Sequence, residues 1–248
     1  MNDPAASFFE NGYLLPVNLF SANEVAAFRA ELERLEMKAR RSQVGNKDQL
    51  NYPHTIFRFA NDMVRDPRIL DVVEEILGPD LLVWSSTFFI KEPETEDFVS
   101  WHQDLRYWGL DDADGQVSAW VALSDVTIEA GCMQFVPGSH TGPLHEHRDT
   151  YDENNVLTRG QEAIVDVDPA SIVHVELKPG QASFHHGKLL HSSAPNRSSS
   201  RRIGYAIQYL KPSVRQTVAR QDFAMLVRGK DGYRHFEPVP PPEEDLST

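Results

Sequence analysis

The chain has 248 residues, 40% hydrophobic and 25% charged, which is ordinary for a globular protein and long enough to bury a sizeable core. Its 37 Asp and Glu against 24 Lys and Arg give a formal charge of −13, which argues against nucleic acid or an anionic membrane as partner. The single cysteine, Cys132, excludes an internal disulfide framework and fits a reducing compartment.

No apolar run is long enough to span a bilayer. The opening stretch, MNDPAASFFENGYLL, lacks the basic start and apolar core of a secretory signal. The expectation is a cytoplasmic protein, monomer or homodimer, whose partner is a small molecule. Phe8 to Phe20 reads as an extended entry segment. Ser21-Ala22-Asn23-Glu24 is a capping-box pattern that starts a helix. Val25, Phe28, Leu32 and Leu35 give that helix one apolar stripe, so it should lie on something flat. The polar stretch from Lys38 to Thr55 reads as a loop able to cover a site. Asp66 as N-cap, Pro67 at the first position and Gly78-Pro79 as the stop mark a second helix with its stripe at Leu70, Val73, Ile76 and Leu77.

Beyond Pro79 the pattern changes to strands. Leu81–Lys91 is rich in β-branched and aromatic residues. Further strands are predicted over Val99–Asp104, Val117–Leu123, Met133–Val136, Ile172–Leu177, Gln181–His185, Leu189–Ser193 and Arg202–Leu210. Thr141 to Ala163 is irregular and too long for a hairpin turn, which suggests functional cover. The tail, PVPPPEEDLST, is expected to be poorly ordered. Two helices followed by many short strands indicate a mainly β fold, a sandwich or barrel with helices on one outer face. Along Arg202–Leu210, Ile203, Tyr205, Ile207 and Tyr209 form a bulky face suited to helix packing. Arg202, Gly204, Ala206 and Gln208 form a roomy face suited to a ligand. The chain reads as a single domain over residues 1–248, with a helical part (1–79), a β core (80–210) and a C-terminal extension (211–248).

The chemistry centres on Trp101-His102-Gln103-Asp104. In a strand, residues two apart share a face, so His102 and Asp104 present an imidazole and a carboxylate together. Two His and one carboxylate with open positions opposite is the ligand set of non-haem Fe(II) oxygenases. His191, at the end of an apolar strand, is one source of the second imidazole, and His140, His145, His147, His185 and His186 compete with it. His145 and His147 could also form a separate His-x-His metal pair. Arg202 on an inward face needs an anionic partner, because an unpaired interior charge is costly. An internal salt bridge and a bound dicarboxylate both satisfy that need.

The segments FFIKEP…WHQD, GCMQFVPGSH and LLHSSAPNRSSSRR resemble the signature blocks of the phytanoyl-CoA dioxygenase family, from about Asn11 to Leu210. The resemblance implies a double-stranded β-helix of jelly-roll or cupin-like form, with the N-terminal helices outside one sheet. It implies an Fe(II)- and 2-oxoglutarate-dependent dioxygenase that uses O2 and releases succinate and CO2. His102, Asp104 and His191 are then the iron ligands. Arg202, eleven positions after His191, is the partner of the 2-oxoglutarate distal carboxylate, with Ser193, Trp120 and Thr87 as further cosubstrate contacts. Because Asp104 is present, halogenation is disfavoured. Arg106, Tyr107 and Trp108 are candidate substrate residues at the mouth. Hydroxylation is the leading reaction, with desaturation, epimerisation or cyclisation as alternatives. A non-oxidative cupin-like metal binder is a further one.

Overall fold

The computed structural model describes residues 4–42, 51–157, 159–219 and 221–245. Two sheets face each other. The larger has seven strands in the order β1 (Tyr13–Asn18), β9 (Gln181–His185), β4 (Gln116–Ala122), β11 (Arg202–Leu210), β2 (Leu81–Lys91), β12 (Phe223–Arg228), β13 (Glu237–Pro238). The smaller runs β3 (Val99–His102), β10 (His191–Ser193), β5 (Met133–Phe135), β8 (Val173–Val175). All pairings within the two sheets are antiparallel except β12 with β13. This is the jelly-roll arrangement of a double-stranded β-helix.

The helices α1 (Pro4–Asn11), α2 (Ala22–Ser42), α3 (Arg58–Val64) and α4 (Pro67–Leu77) all come before β2 in the chain, with β1 between α1 and α2. Val25 and Leu32 of α2 and Ile69 and Val73 of α4 join one buried cluster with Ile203, Tyr205, Ile207 and Tyr209 of β11. The helices therefore cover the outer face of the large sheet, and period-two alternation along β11 assigns that face to its bulky residues. Ser21 and Glu24 form the expected capping box, the Ser21 N–H donating to the Glu24 carboxylate at 2.7 Å. Asp66 caps α4 by accepting the Arg68 N–H at 2.9 Å, and Gly78 stops that helix at φ 94°. No helix among the described residues is long and apolar enough to cross a membrane.

Four local expectations are corrected. Phe8–Asn11 is helical, with Phe8 buried and Phe9 exposed, and only Tyr13–Asn18 is extended. The stretch 38–42 continues α2, Pro53–Thr55 is a short 3-10 turn, and residues 43–50 lie outside the described residues. The segment 141–163 contains a two-stranded hairpin, β6 (His147–Asp149) with β7 (Gln161–Ala163). The tail is docked as far as it is described: Pro238 pairs with Ala224 in β13 and β12, and Asp245 ion-pairs with Arg34 at 3.0 Å and accepts the Arg58 N–H at 2.8 Å. Arg34 and Arg58 lie in distant parts of the chain, so the tail's Pro-rich composition did not reveal them.

Gly204 shows why the inner face of β11 is roomy. A Cβ there would overlap the Trp120 ring, which lies across it. Gly204→Ala should therefore overpack the wall and cost about 1–3 kcal/mol. At this chain length that lowers the melting temperature by roughly 3–10 °C, read by a thermal scan. An unchanged melting temperature would show that Trp120 has another place to go.

Candidate active site

β3 ends at His102. Asp104 is not on the strand, as parity had suggested, but opens the short helix α5 (Leu105–Trp108) with φ −53° and ψ −47°. The two side chains still meet, because the chain turns into helix immediately after the strand. Asp104 Oδ1 lies 3.3 Å from His102 Nε2. Gln103 between them fixes the turn. Its side chain is fully buried, donates to the carbonyls of Lys188 (2.8 Å) and Pro143 (3.2 Å), and accepts the His145 N–H (2.8 Å).

The second imidazole is supplied by β10. His191 is the register partner of His102 across the β3–β10 pair, and the two ring centroids are 4.0 Å apart. His191 Nε2 is 3.8 Å from Asp104 Oδ1. One ligand atom from each of His102, Asp104 and His191 lies within 4.8 Å of the others. Each histidine places Nδ1 2.9 Å from a backbone carbonyl two residues earlier, Ser100 O and Leu189 O respectively. A carbonyl only accepts, so Nδ1 carries the proton and the Nε2 lone pairs are left for a metal. Burial, with His102 beside it, pushes the His191 pKa down to about 3 and keeps the ring neutral. Two neutral imidazoles and a carboxylate fit the donor set of a non-haem Fe(II) site.

Three of the competing histidines are otherwise engaged. His147 uses both ring nitrogens, Nδ1 donating to His145 O (3.0 Å) and Nε2 accepting the Gln103 N–H (3.2 Å). His186 pairs with Asp114 at 3.0 Å, and His140 donates to Phe9 O at 3.1 Å. His185 stands nearer, its Nε2 3.8 Å from Asp104 Oδ2. His102, Asp104 and His191 form the one such cluster among the described residues.

A cleft opens between the sheets beside this cluster, with Phe89, Val99, Met133 and Leu157 on its apolar walls. Arg202 lies on its floor, 3% exposed, with the guanidinium 5.0 Å from the Trp120 ring centroid. Arg202 Nη1 donates to Gly131 O at 2.7 Å, while Nε is buried without a partner. Burial lowers its pKa to about 10, so it is still charged at neutral pH. Among the described residues no carboxylate ion-pairs with it. The internal salt bridge weighed for this arginine is thus not made there. Ser193 lines the same floor, and its hydroxyl accepts from Lys91 Nζ at 2.8 Å.

Thr87, opposite Ala206 in the β2–β11 register, shares the inner face, but its hydroxyl donates to Asn51 at 3.2 Å. Arg106, Tyr107 and Trp108 lie on α5, and none is on the cleft wall. Trp108 packs edge-on against Trp84 at 5.5 Å, and Tyr107 against His147 at 5.3 Å. The β6–β7 segment is tied to β3 instead: Ser100 Oγ donates to Gln161 O at 2.5 Å and accepts from Asn155 at 2.8 Å, which brings Leu157 to the cleft. Two buried residues that composition did not single out support the floor from behind. Asn196 donates to the carbonyls of Lys91 (3.2 Å), Glu92 (3.0 Å) and Ser200 (2.8 Å), setting the loop between β10 and β11. Lys91 is the other.

Residues 8–204 match the phytanoyl-CoA dioxygenase family. The chain belongs to that family. It is thereby placed among the non-haem iron, 2-oxoglutarate-dependent dioxygenases. It is 30% identical to a probable phytanoyl-CoA dioxygenase of Caenorhabditis elegans, over 82% of this chain and 73% of that one. It spans 65% of the length of the peroxisomal phytanoyl-CoA dioxygenase of Rattus norvegicus. Among solved structures, the apo form of the non-haem monooxygenase ThoJ superposes with a TM-score of 0.88 at 36% identity, over 98% of this chain and 90% of that one. The 2-oxoglutarate-dependent carbocyclase SnoK superposes at 0.69 with 25% identity, over 97% and 92%.

Proposed function

We propose that this protein hydroxylates an unactivated C–H bond of a small organic substrate, with succinate and CO2 as co-products. His102, Asp104 and His191 would hold Fe(II), and Arg202 with Ser193 would hold the distal carboxylate of 2-oxoglutarate. The observation that carries this reading is the Arg202 guanidinium, buried on the cleft floor with an orphaned Nε and no carboxylate partner among the described residues. Leaving such a charge uncompensated costs several kcal/mol, roughly, so a bound anion is the natural complement. When bound, iron and 2-oxoglutarate supply the activation of O2.

The chain's own residues bind, orient and exclude water. The Nδ1–H bonds of His102 and His191 fix the rings with Nε2 toward the metal position. Trp120, lying against the Arg202 guanidinium, keeps that cation from turning away. Phe89, Val99, Met133 and Leu157 present an apolar surface, which suits a largely apolar substrate of modest size, with Gln208 as a polar contact. Arg106 and Tyr107 remain candidates for contact with a substrate too large for the cleft. The similarity to a carbocyclase favours ring formation as the second reading. We place the protein in the cytoplasm, as a monomer or homodimer with no nucleic-acid partner.

The test is an anaerobic titration with Fe(II) and then 2-oxoglutarate, followed by the visible charge-transfer band of an iron–keto acid chelate. A band that saturates at one equivalent is expected, with succinate formed once air and substrate are admitted. Iron binding with no band would return the site to the cupin-like metal binders.

A further inference from the structure

Lys91, the last residue of β2, is a second buried basic residue, in contact with Ser193 of the cleft floor. It is the register partner of Arg202 and is 3% exposed. Its Nζ lies 2.8 Å from Ser193 Oγ, 3.3 Å from Ser193 O and 2.5 Å from Ala194 O. An ammonium has three N–H donors and no acceptor, so Lys91 is the donor at all three contacts. A neutral amine could serve only two of them. Burial and the neighbouring Arg202 lower its pKa to about 7, against the opposing pull of Asp97 and Cys132.

The Ser193 hydroxyl therefore accepts from Lys91, and its own proton must point elsewhere. Ser193 lines the cleft together with Arg202. We propose that Lys91 is a positioning residue for the cosubstrate: it turns the Ser193 hydroxyl proton toward the distal carboxylate that Arg202 grips. This rests on the reading of Arg202 given above. Two adjacent buried cations repel each other until an anion joins them, so the pair also selects keto acids that end in a second carboxylate.

The experiment is the anaerobic charge-transfer titration of iron-loaded wild type, Lys91→Met, Ser193→Ala and the double variant. Each is titrated with 2-oxoglutarate and with 2-oxobutyrate, which has the keto acid but no distal carboxylate. Each single variant should bind 2-oxoglutarate roughly tenfold more weakly, the worth of one hydrogen bond to a charged group. The double variant should be no worse than the poorer single, because both changes remove the same interaction. Affinity for 2-oxobutyrate and for iron should stay at the wild-type value in every variant. Wild-type 2-oxoglutarate affinity in Lys91→Met, equal weakening of both keto acids, or additive losses in the double variant would each overturn the inference. Should Lys91→Met not fold, Lys91→Gln, which keeps a donor for Ser193, takes its place: it should weaken 2-oxoglutarate binding alone, and by less than Ser193→Ala. An Arg202→Ala arm separates the two levels, since unchanged 2-oxoglutarate binding there sinks the underlying reading, whereas a loss there with none in Lys91→Met sinks only this one.

Discussion

Asp104→Asn should leave the protein folded but unable to retain iron. Loss of residues that merely support a metal ligand weakens metal binding about 10–100-fold, so loss of a direct charged ligand should cost at least about 100-fold. Asp104 makes no side-chain capping bond at the start of α5 and the amide keeps its size, so the turn after β3 has no reason to open. Metal content after dialysis and titration calorimetry with Fe(II) give the affinity, and succinate release gives the activity. Both should collapse together while the thermal transition of the metal-free protein stays within a few degrees of wild type. Retention of stoichiometric iron by this variant would remove Asp104 from the ligand set and reopen the question for His185, whose Nε2 is 3.8 Å from the same carboxylate.

The second large effect is expected at Arg202. Two charge-assisted hydrogen bonds to a carboxylate are worth about 3–4 kcal/mol together, so Arg202→Leu should weaken 2-oxoglutarate binding by roughly 100- to 1,000-fold. The effect on the empty protein has the opposite sign. Removing a buried charge that no carboxylate offsets should leave the melting temperature unchanged or raise it, despite the loss of the bond to Gly131. The two signs appear in one thermal-shift experiment. Wild type loaded with iron should gain about 2.7 kcal/mol at 2-oxoglutarate concentrations 100 times Kd, a rise of roughly 5–10 °C. Arg202→Leu should start as high or higher and gain nothing. A variant that melts lower and still responds to the keto acid would mean that the arginine serves packing rather than the ligand.

These effects were foreseeable from sequence because the elements that carry them have strong local patterns. β2, β9 and β11 were predicted with their observed bounds, and the alternation along β11 separated the helix-packed face from the cleft face. The His102–Asp104 pair was legible for a reason that the structure replaces. Parity along a strand suggested the meeting, but a helical turn pinned by Gln103 produces it. Lys91 was illegible because a lysine at a strand end ordinarily reaches water. Only its cross-strand neighbour, set by the register of β2 with β11, shows that it is buried. The docked tail was illegible for the same reason, since its partners Arg34 and Arg58 lie far off in the chain. Long-range pairing, rather than weak propensity, separates what one sequence shows from what the fold adds.

The loop set by Asn196 acts as a ruler. It joins His191, the proposed iron ligand, at one end to Arg202, the proposed cosubstrate anchor, at the other, and three carbonyls held by one amide fix its length. Side chains alternate along β11, so inserting one residue between Asn196 and Arg202 would do more than lengthen a surface turn. Either the insertion loops out as a bulge, or the whole strand turns over and offers Ile203 and Tyr205 to the cleft while Arg202 meets the helices. Substitutions in the walls of the cleft can alter which molecule is oxidised one side chain at a time. Length changes in this loop have no such gradual route, so lineages descended from this enzyme should diversify in the cleft and the β6–β7 cover while keeping the eleven-residue interval between His191 and Arg202.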